Sequence, residues 1–280
     1  MKTVVKYLSL LLLLTSCEKE IDLDYHEVAP LYAAEATVTP DGTNVWVRTT
    51  QSVTDNSASG HGVTNATIQL YEELESGELF PVASLTHRRD GHYTSTFAGI
   101  PSLTYVIDIE IDGEHYTSKS TMPNAPVVNS FRFVWKKMLS ELMLFADLRI
   151  QDEQDKVNYY FMHLYRNNVG YRWAIMDDRA NPGAELQQLF SCTTKRQMDE
   201  GTDSDVLRNG DQLRMEVRSI DRRAYDYLYS LQLMDNSGTN PIANFSGGLL
   251  GYFSAFQQVT LQMPFHQDSI RTAAASGTRR

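Results

Sequence analysis

Residues 105–118 read YVIDIEIDGEHYTS, and this stretch decides the fold. Tyr105, Ile107, Ile109 and Ile111 recur at every second position, with Val106, Asp108 and Glu110 between them. A period of two belongs to a pleated strand with one face in a core and the other in water. Asp112-Gly113 follows, two residues that tolerate positive φ, and His115 to Ser118 answers on the far side. Paired runs around Asp-Gly predict a β-hairpin.

The same pattern extends outward. Ala66, Ile68 and Leu70 alternate with Thr67, Gln69 and Tyr71; Val45, Val47 and Thr49 alternate with Trp46 and Arg48 behind a Pro40-Asp41-Gly42 turn. Short strands at this spacing predict an immunoglobulin-like β-sandwich of about seven strands over 31–122. Pro123 and Pro126 bracket a break, and strand-like runs resume at Val128–Trp135, Met143–Ile150, Val157–Arg166, Tyr171–Met176 and Gln212–Ile220. These predict a second antiparallel β domain over 127–263, a curled sheet or a barrel. One short helix interrupts it: Asp221 can cap, and Ala224, Leu228 and Leu231 fall on one face. The fold class is therefore all-β, with a tail over 264–280, ending TAAASGTRR, expected to be disordered.

The N-terminus carries an address. Lys2 and Lys6 precede the apolar run Tyr7–Leu14, too short to span a bilayer core and of the length of a secretory leader. Leu14-Thr15-Ser16-Cys17 follows and resembles a bacterial lipobox, so residues 1–16 are expected to be a signal peptide and Cys17 the lipidated first residue. Each buried lipid CH₂ contributes about 0.8 kcal/mol, and several chains on one cysteine anchor firmly. Residues 17–30 form an acidic tether whose Glu18-Lys19-Glu20 start resembles a surface-export signal of Bacteroidetes.

With 42% hydrophobic residues in 280, the chain can bury cores of two domains. Its formal charge is −10, and loss of Lys2 and Lys6 with the leader leaves −12, which argues against binding phosphate backbones. Once Cys17 carries lipid, Cys192 has no partner, so an intrachain disulfide is excluded and a cysteine-based zinc site is disfavoured. Cys192 is expected to be a small half-buried residue.

Several groups could carry chemistry. Gly247-Gly248-Leu249-Leu250-Gly251 lacks the Gly-Lys-Ser/Thr of a phosphate loop. Its glycines suit close backbone packing, or alternatively shape a rigid partner surface from Asn244, Phe245, Tyr252 and Phe253. His87, His92 and His115 share the first domain without a compact ligand spacing, and no metal or other cofactor is expected. The acidic groups Asp152-Glu153-Asp155 and Asp199-Glu200-Asp203-Asp205 lack the pattern of a calcium loop and are expected to be solvated turns. Tyr159, Tyr160, Tyr165, Tyr171, Tyr225, Tyr227 and Tyr229 can stack on sugars or simply suit strands. There is no G-x-S-x-G elbow.

Four blocks in order resemble the Bacteroidetes lipoproteins of the DUF4249 family, a domain of unknown function: TSCEKEIDLD from Thr15, VTNATIQLYE from Val63, residues 91–123, and NPIANFSGGLLGYFSA from Asn240. Phe245 follows Asn244 where the family tends to carry Ile or Val. The resemblance implies an immunoglobulin-like or carboxypeptidase-regulatory-like N-terminal sandwich on an envelope lipoprotein. It also implies genetic proximity to TonB-dependent outer-membrane receptors, and it transfers no catalytic residue. The resulting expectation is a non-enzymatic accessory or binding protein, lipid-anchored in the outer membrane, with the periplasmic and the external face both left open. A surface glycan-binding module is the alternative, for which a line of exposed tyrosines, or Trp46, Trp135 and Trp173 together on one sheet face, is expected, and an envelope hydrolase comes third.

Overall fold

The structure is a computed structural model that describes residues 31–50, 60–153, 156–180, 182–201, 205–237 and 241–270. The leader, Cys17, the tether, Asp155, Asp203 and the tail beyond residue 270 lie outside the described residues.

Eight strands fill the first half: β1 (Tyr32–Thr39), β2 (Gly42–Thr49), β3 (Thr67–Glu73), β4 (Leu79–Ser84), β5 (Thr86–Arg89), β6 (His92–Ser95), β7 (Thr104–Ile111) and β8 (Glu114–Thr121). The second half contributes β9 (Val127–Met138), β10 (Glu141–Gln151), β11 (Tyr159–Arg166), β12 (Val169–Asp177) and β13 (Leu186–Thr194). After β13 come the helix α1 (Lys195–Glu200), β14 (Gln212–Ile220), the helix α2 (Arg222–Ser237), β15 (Leu250–Ala255) and β16 (Gln257–Pro264).

The hairpin that opened the reading is β7–β8, paired from Thr104↔Thr121 to Ile111↔Glu114 around Asp112 (φ 53°) and Gly113 (φ 84°). Tyr105, Ile107, Ile109 and Ile111 are all at most 1% exposed. Burying each such side chain contributes about 1.5–3 kcal/mol, which sets the register of the whole sheet. β7 lies in the four-stranded sheet β4-β3-β7-β8, which packs on a five-stranded sheet ordered β15-β1-β2-β6-β5.

That second sheet departs from the expected division of the chain. Residues 127–263 were assigned wholly to the second domain, yet β15 runs parallel to β1, from Ala33↔Leu250 to Val38↔Ala255. Phe245, Leu249, Phe253 and Ala255 belong to the first core. The close approach needs Gly251: its φ is +97° and a Cβ there would stand 1.9 Å from the Ala34 carbonyl oxygen. A parallel partner this distant in sequence leaves no local signal.

The second core lies between the sheets β13-β10-β9 and β12-β11-β14-β16. β12 approaches β13, and β16 approaches β9, without ladder pairing, so among the described residues the curled sheets do not close into a barrel. Residues 264–270, expected to belong to a disordered tail, are ordered onto the second core. Phe265 is 1% exposed in the second core and Ile270 packs against it, because an aromatic after β16 still finds apolar partners.

Asp221 accepts the Ala224 N–H at 2.9 Å and so caps α2, as its sequence suggests. Its other carboxylate oxygen accepts the Thr121 N–H at 3.1 Å, tying the helix start to the end of β8.

Candidate functional site

β11 has the sequence YYFMHLYR, apolar or aromatic at nearly every position. Tyr160, Met162 and Leu164 point into the second core and are at most 3% exposed. The alternate set, Tyr159, Phe161, His163 and Tyr165, therefore stands on the outer face of its sheet.

The registers of β12, β14 and β16 extend this face sideways. Trp173 and Glu216 flank His163, Arg218 lies opposite Phe161, and Arg214 lies opposite Tyr165. Gln258 and Thr260 continue the rows on β16. α2 lays Ala224, Tyr225 and Leu228 over Ile175, Ile220 and Phe256, covering one end of the face. Phe161 packs against the edge of that cluster, His163 and Tyr165 lie beyond it, and Trp173 keeps 40% of its surface in water.

The rings of this face form a continuous ladder. Trp173 to Phe161 is 6.0 Å between centroids, Phe161 to His163 is 6.1 Å, and His163 stacks on Tyr165 at 4.0 Å. The Arg214 guanidinium lies 3.9 Å over the Tyr165 ring and that of Arg218 lies 5.5 Å over Phe161. Glu216 is buried between them, ion-paired to Arg214 and, at 3.0 Å, to Arg218. Arg218 also donates to Gln258 Oε1 at 2.8 Å. Half-buried and facing Arg218 and Arg214, His163 has its pKa held below the usual imidazole value. The result is a row of rings tilted to one another by 28° to 69°, with guanidinium groups fixed beside it, which suits aromatic and cation–π contacts of about 1 kcal/mol each.

Of the residues singled out from the sequence, Tyr165 and Trp173 stand on this face, whereas the partner surface expected at residues 244–253 lies elsewhere. Asn244, Phe245 and Phe253 are 3%, 4% and 0% exposed, so they offer no aromatic surface to a partner. They are packing instead. Asn244 Oδ1 accepts from Ser118 Oγ at 2.6 Å and from the Phe253 N–H at 2.9 Å, which straps the loop to β8 while β15 pairs with β1. Tyr252 stacks on Tyr227 at 5.3 Å and donates to Glu35 Oε1 at 3.2 Å.

The histidines do not converge: His92 stacks on Trp46 at 4.1 Å, His87 sits 5.0 Å from Tyr93, and His115 bonds Asp108 at 3.0 Å. The three tryptophans share no sheet face: Trp46 lies on β2 of the first sandwich, Trp135 is 5% exposed in the second core, and Trp173 stands on the ladder. Cys192 is buried more deeply than expected, at 7% exposure, and burial pushes its thiol up to about 12. Asp152 is 6% exposed rather than solvated, and Asp199 and Glu200 lie on α1 rather than in a loop, ion-paired to Lys195 and Arg196.

The ladder itself was not legible as a surface. Its signal, aromatic rings at both parities of β11, does not say which parity faces out; only the pairing with Arg214, Glu216 and Arg218 does.

A family model described as a domain of unknown function, DUF4249, matches residues 18–262. No curated protein matches the chain. Among solved structures, a DUF3823 family protein from Bacteroides uniformis is similar at 13% identity and a TM-score of 0.23, over 83% of this chain and 98% of that one.

Proposed function

The chain belongs to the DUF4249 family, and from that premise we propose that it is a lipid-anchored, non-enzymatic binding protein of the outer membrane, in contact with a TonB-dependent receptor or its cargo. The Leu14-Thr15-Ser16-Cys17 motif behind a short apolar run supports the anchor. The observation that carries the contact role is the ladder of Phe161, His163, Tyr165 and Trp173, set between guanidinium groups. Aromatic and arginine side chains are enriched at the centres of protein interfaces because they bring large area at low entropic cost.

The test is recovery from envelope in mild detergent with the lipidated protein as bait. Wild type is expected to retain an outer-membrane receptor, and a Tyr165→Ala/Trp173→Ala variant to lose it. Recovery of no receptor by wild type overturns the reading.

A second reading, a cell-surface glycan-binding module, is favoured by one observation: Trp173 is 40% exposed beside Phe161, a geometry on which a sugar face can stack. A glycan array bound by wild type and not by Trp173→Ala supports it; a blank array removes it.

A further inference from the structure

Three strand ends meet where β10 finishes, β11 begins and β12 finishes, and there two buried carboxylates face each other. Asp152 is 6% exposed and Asp178 is 1% exposed. The other buried acids have guanidinium partners: Asp147 has Arg132 and Arg149, Asp211 has Arg166, and Glu216 has Arg214 and Arg218. Among the described residues no Lys or Arg pairs with Asp152 or Asp178. Leaving two like charges together in a low-dielectric site is costly unless something positive joins them.

Asp178 Oδ1 is buried without any hydrogen-bond partner, while its carboxyl lies in hydrogen-bonding reach of Asp152. Burial and the Asp152 carboxyl both hold its pKa up. Between the two acids, Asn158 Nδ2 is surrounded by four oxygens: Asp152 Oδ1 at 3.0 Å, Asp178 Oδ2 at 3.0 Å, the Lys156 carbonyl at 3.1 Å and the Glu153 carbonyl at 3.3 Å. An amide has two hydrogens and can serve two of these acceptors. Two carboxylates and two carbonyls gathered round one side-chain amide offer more acceptors than it has hydrogens, and they are oxygen ligands of the kind a hard cation takes.

We propose that this pocket is a calcium site, held by Asp152, Asp178, the Glu153 and Lys156 carbonyls and the side-chain oxygen of Asn158 once its amide is turned over. Calcium takes six to eight oxygens in flexible geometry, so water completes the shell, and its double charge cancels the two carboxylates. Among the described residues no cluster of three or more His, Cys, Asp or Glu is arranged to hold a metal, so the neutral oxygens are essential to the site. The Gly183 N–H, 2.6 Å from Asp152 Oδ2, and the Asn158 N–H, 2.9 Å from Asp178 Oδ2, keep both carboxylates oriented. Such a site would lock three strand ends of the second domain together. The competing explanation is a single proton shared by the two acids.

The full mature chain, stripped with chelator, distinguishes them. Millimolar calcium at neutral pH is expected to raise the melting temperature by about 5 °C over the chelated protein. Terbium should show tyrosine-sensitised emission, since the Tyr160 hydroxyl lies 3.5 Å from Asp152 Oδ1, and calcium should compete it away. Asp178→Asn should lose both responses. Glu153→Gln should keep them, because the Glu153 side chain pairs with Lys156 and only its carbonyl faces the site. The wild-type terbium measurement decides the matter even where Asp178→Asn fails to fold. No calcium-dependent shift, or terbium emission that calcium does not displace, overturns the proposal. Stability that rises with acid in place of calcium assigns the pair to a shared proton and overturns it equally.

Discussion

His163 stacks on Tyr165 two positions along the same strand, with centroids 4.0 Å apart and planes 28° from parallel. Arg214 caps the outer ring of this pair at 3.9 Å, so a protonated His163 would sit among cations. Burial first, then Arg218 and Arg214, lower the pKa of His163 from 6.5. Its contribution to stability is therefore present above the unfolded value and is lost as pH falls below it. Melting temperature is expected to decline from about pH 7 to pH 5, and His163→Gln, which cannot take up the proton, should flatten that decline. A wild-type profile matching the variant's would contradict this account of the ladder.

Gly251 admits no side chain where β15 meets β1. Its φ of +97° and the 1.9 Å that would separate a Cβ from the Ala34 oxygen add backbone strain to a clash with backbone. Gly251→Ala is expected to cost about 3 kcal/mol or more in urea unfolding. Leu250→Ala, at a neighbouring position that is 39% exposed, should cost about 1 kcal/mol or less.

Asp221 joins the helix to the first sandwich through the Ala224 and Thr121 N–H groups. Asp221→Ala should lower stability by about 1–2 kcal/mol, the usual range for a lost helix cap. Asp221→Asn keeps an accepting oxygen and should retain most of the stability. Equilibrium denaturation of the two variants checks both values.

Cys192 is expected to be inert. Burial raises its thiol pKa to about 12, and its Sγ donates only to the Phe190 carbonyl at 3.5 Å. Alkylating reagents should leave it unmodified in the native protein at about pH 8, well below that value, and modify it fully in concentrated guanidinium. Mass spectrometry reads the difference directly.

The legibility of the sequence follows the wetness of each strand. Where one face meets water, as in β3 and β7, alternation marks the strand and its inward residues Ile68, Leu70, Ile107 and Ile109. The run at Gln212–Ile220 coincides with β14, whose inner face is apolar and whose outer face carries Arg214, Glu216 and Arg218. β13 was not legible, because LQQLFSCTT mixes small and polar residues at both parities. β15 was not legible either. Its glycine and its parallel partner across the whole chain make it read as a loop, and the burial of Asn244 and Phe253 follows from that distant pairing. The ladder and the carboxylate pair are assembled across four strands, so no local window contains them.

In the proposed function, the outer face of β11 and β12 meets the partner at the outer membrane. A photo-crosslinking amino acid placed at Trp173 in living cells tests it most directly, with the same probe at Leu79, 44% exposed on the first domain, as reference. A discrete adduct with an outer-membrane receptor or its cargo is expected from position 173 and none from position 79. An unmodified band at 173, or equal adducts from both positions, would contradict it.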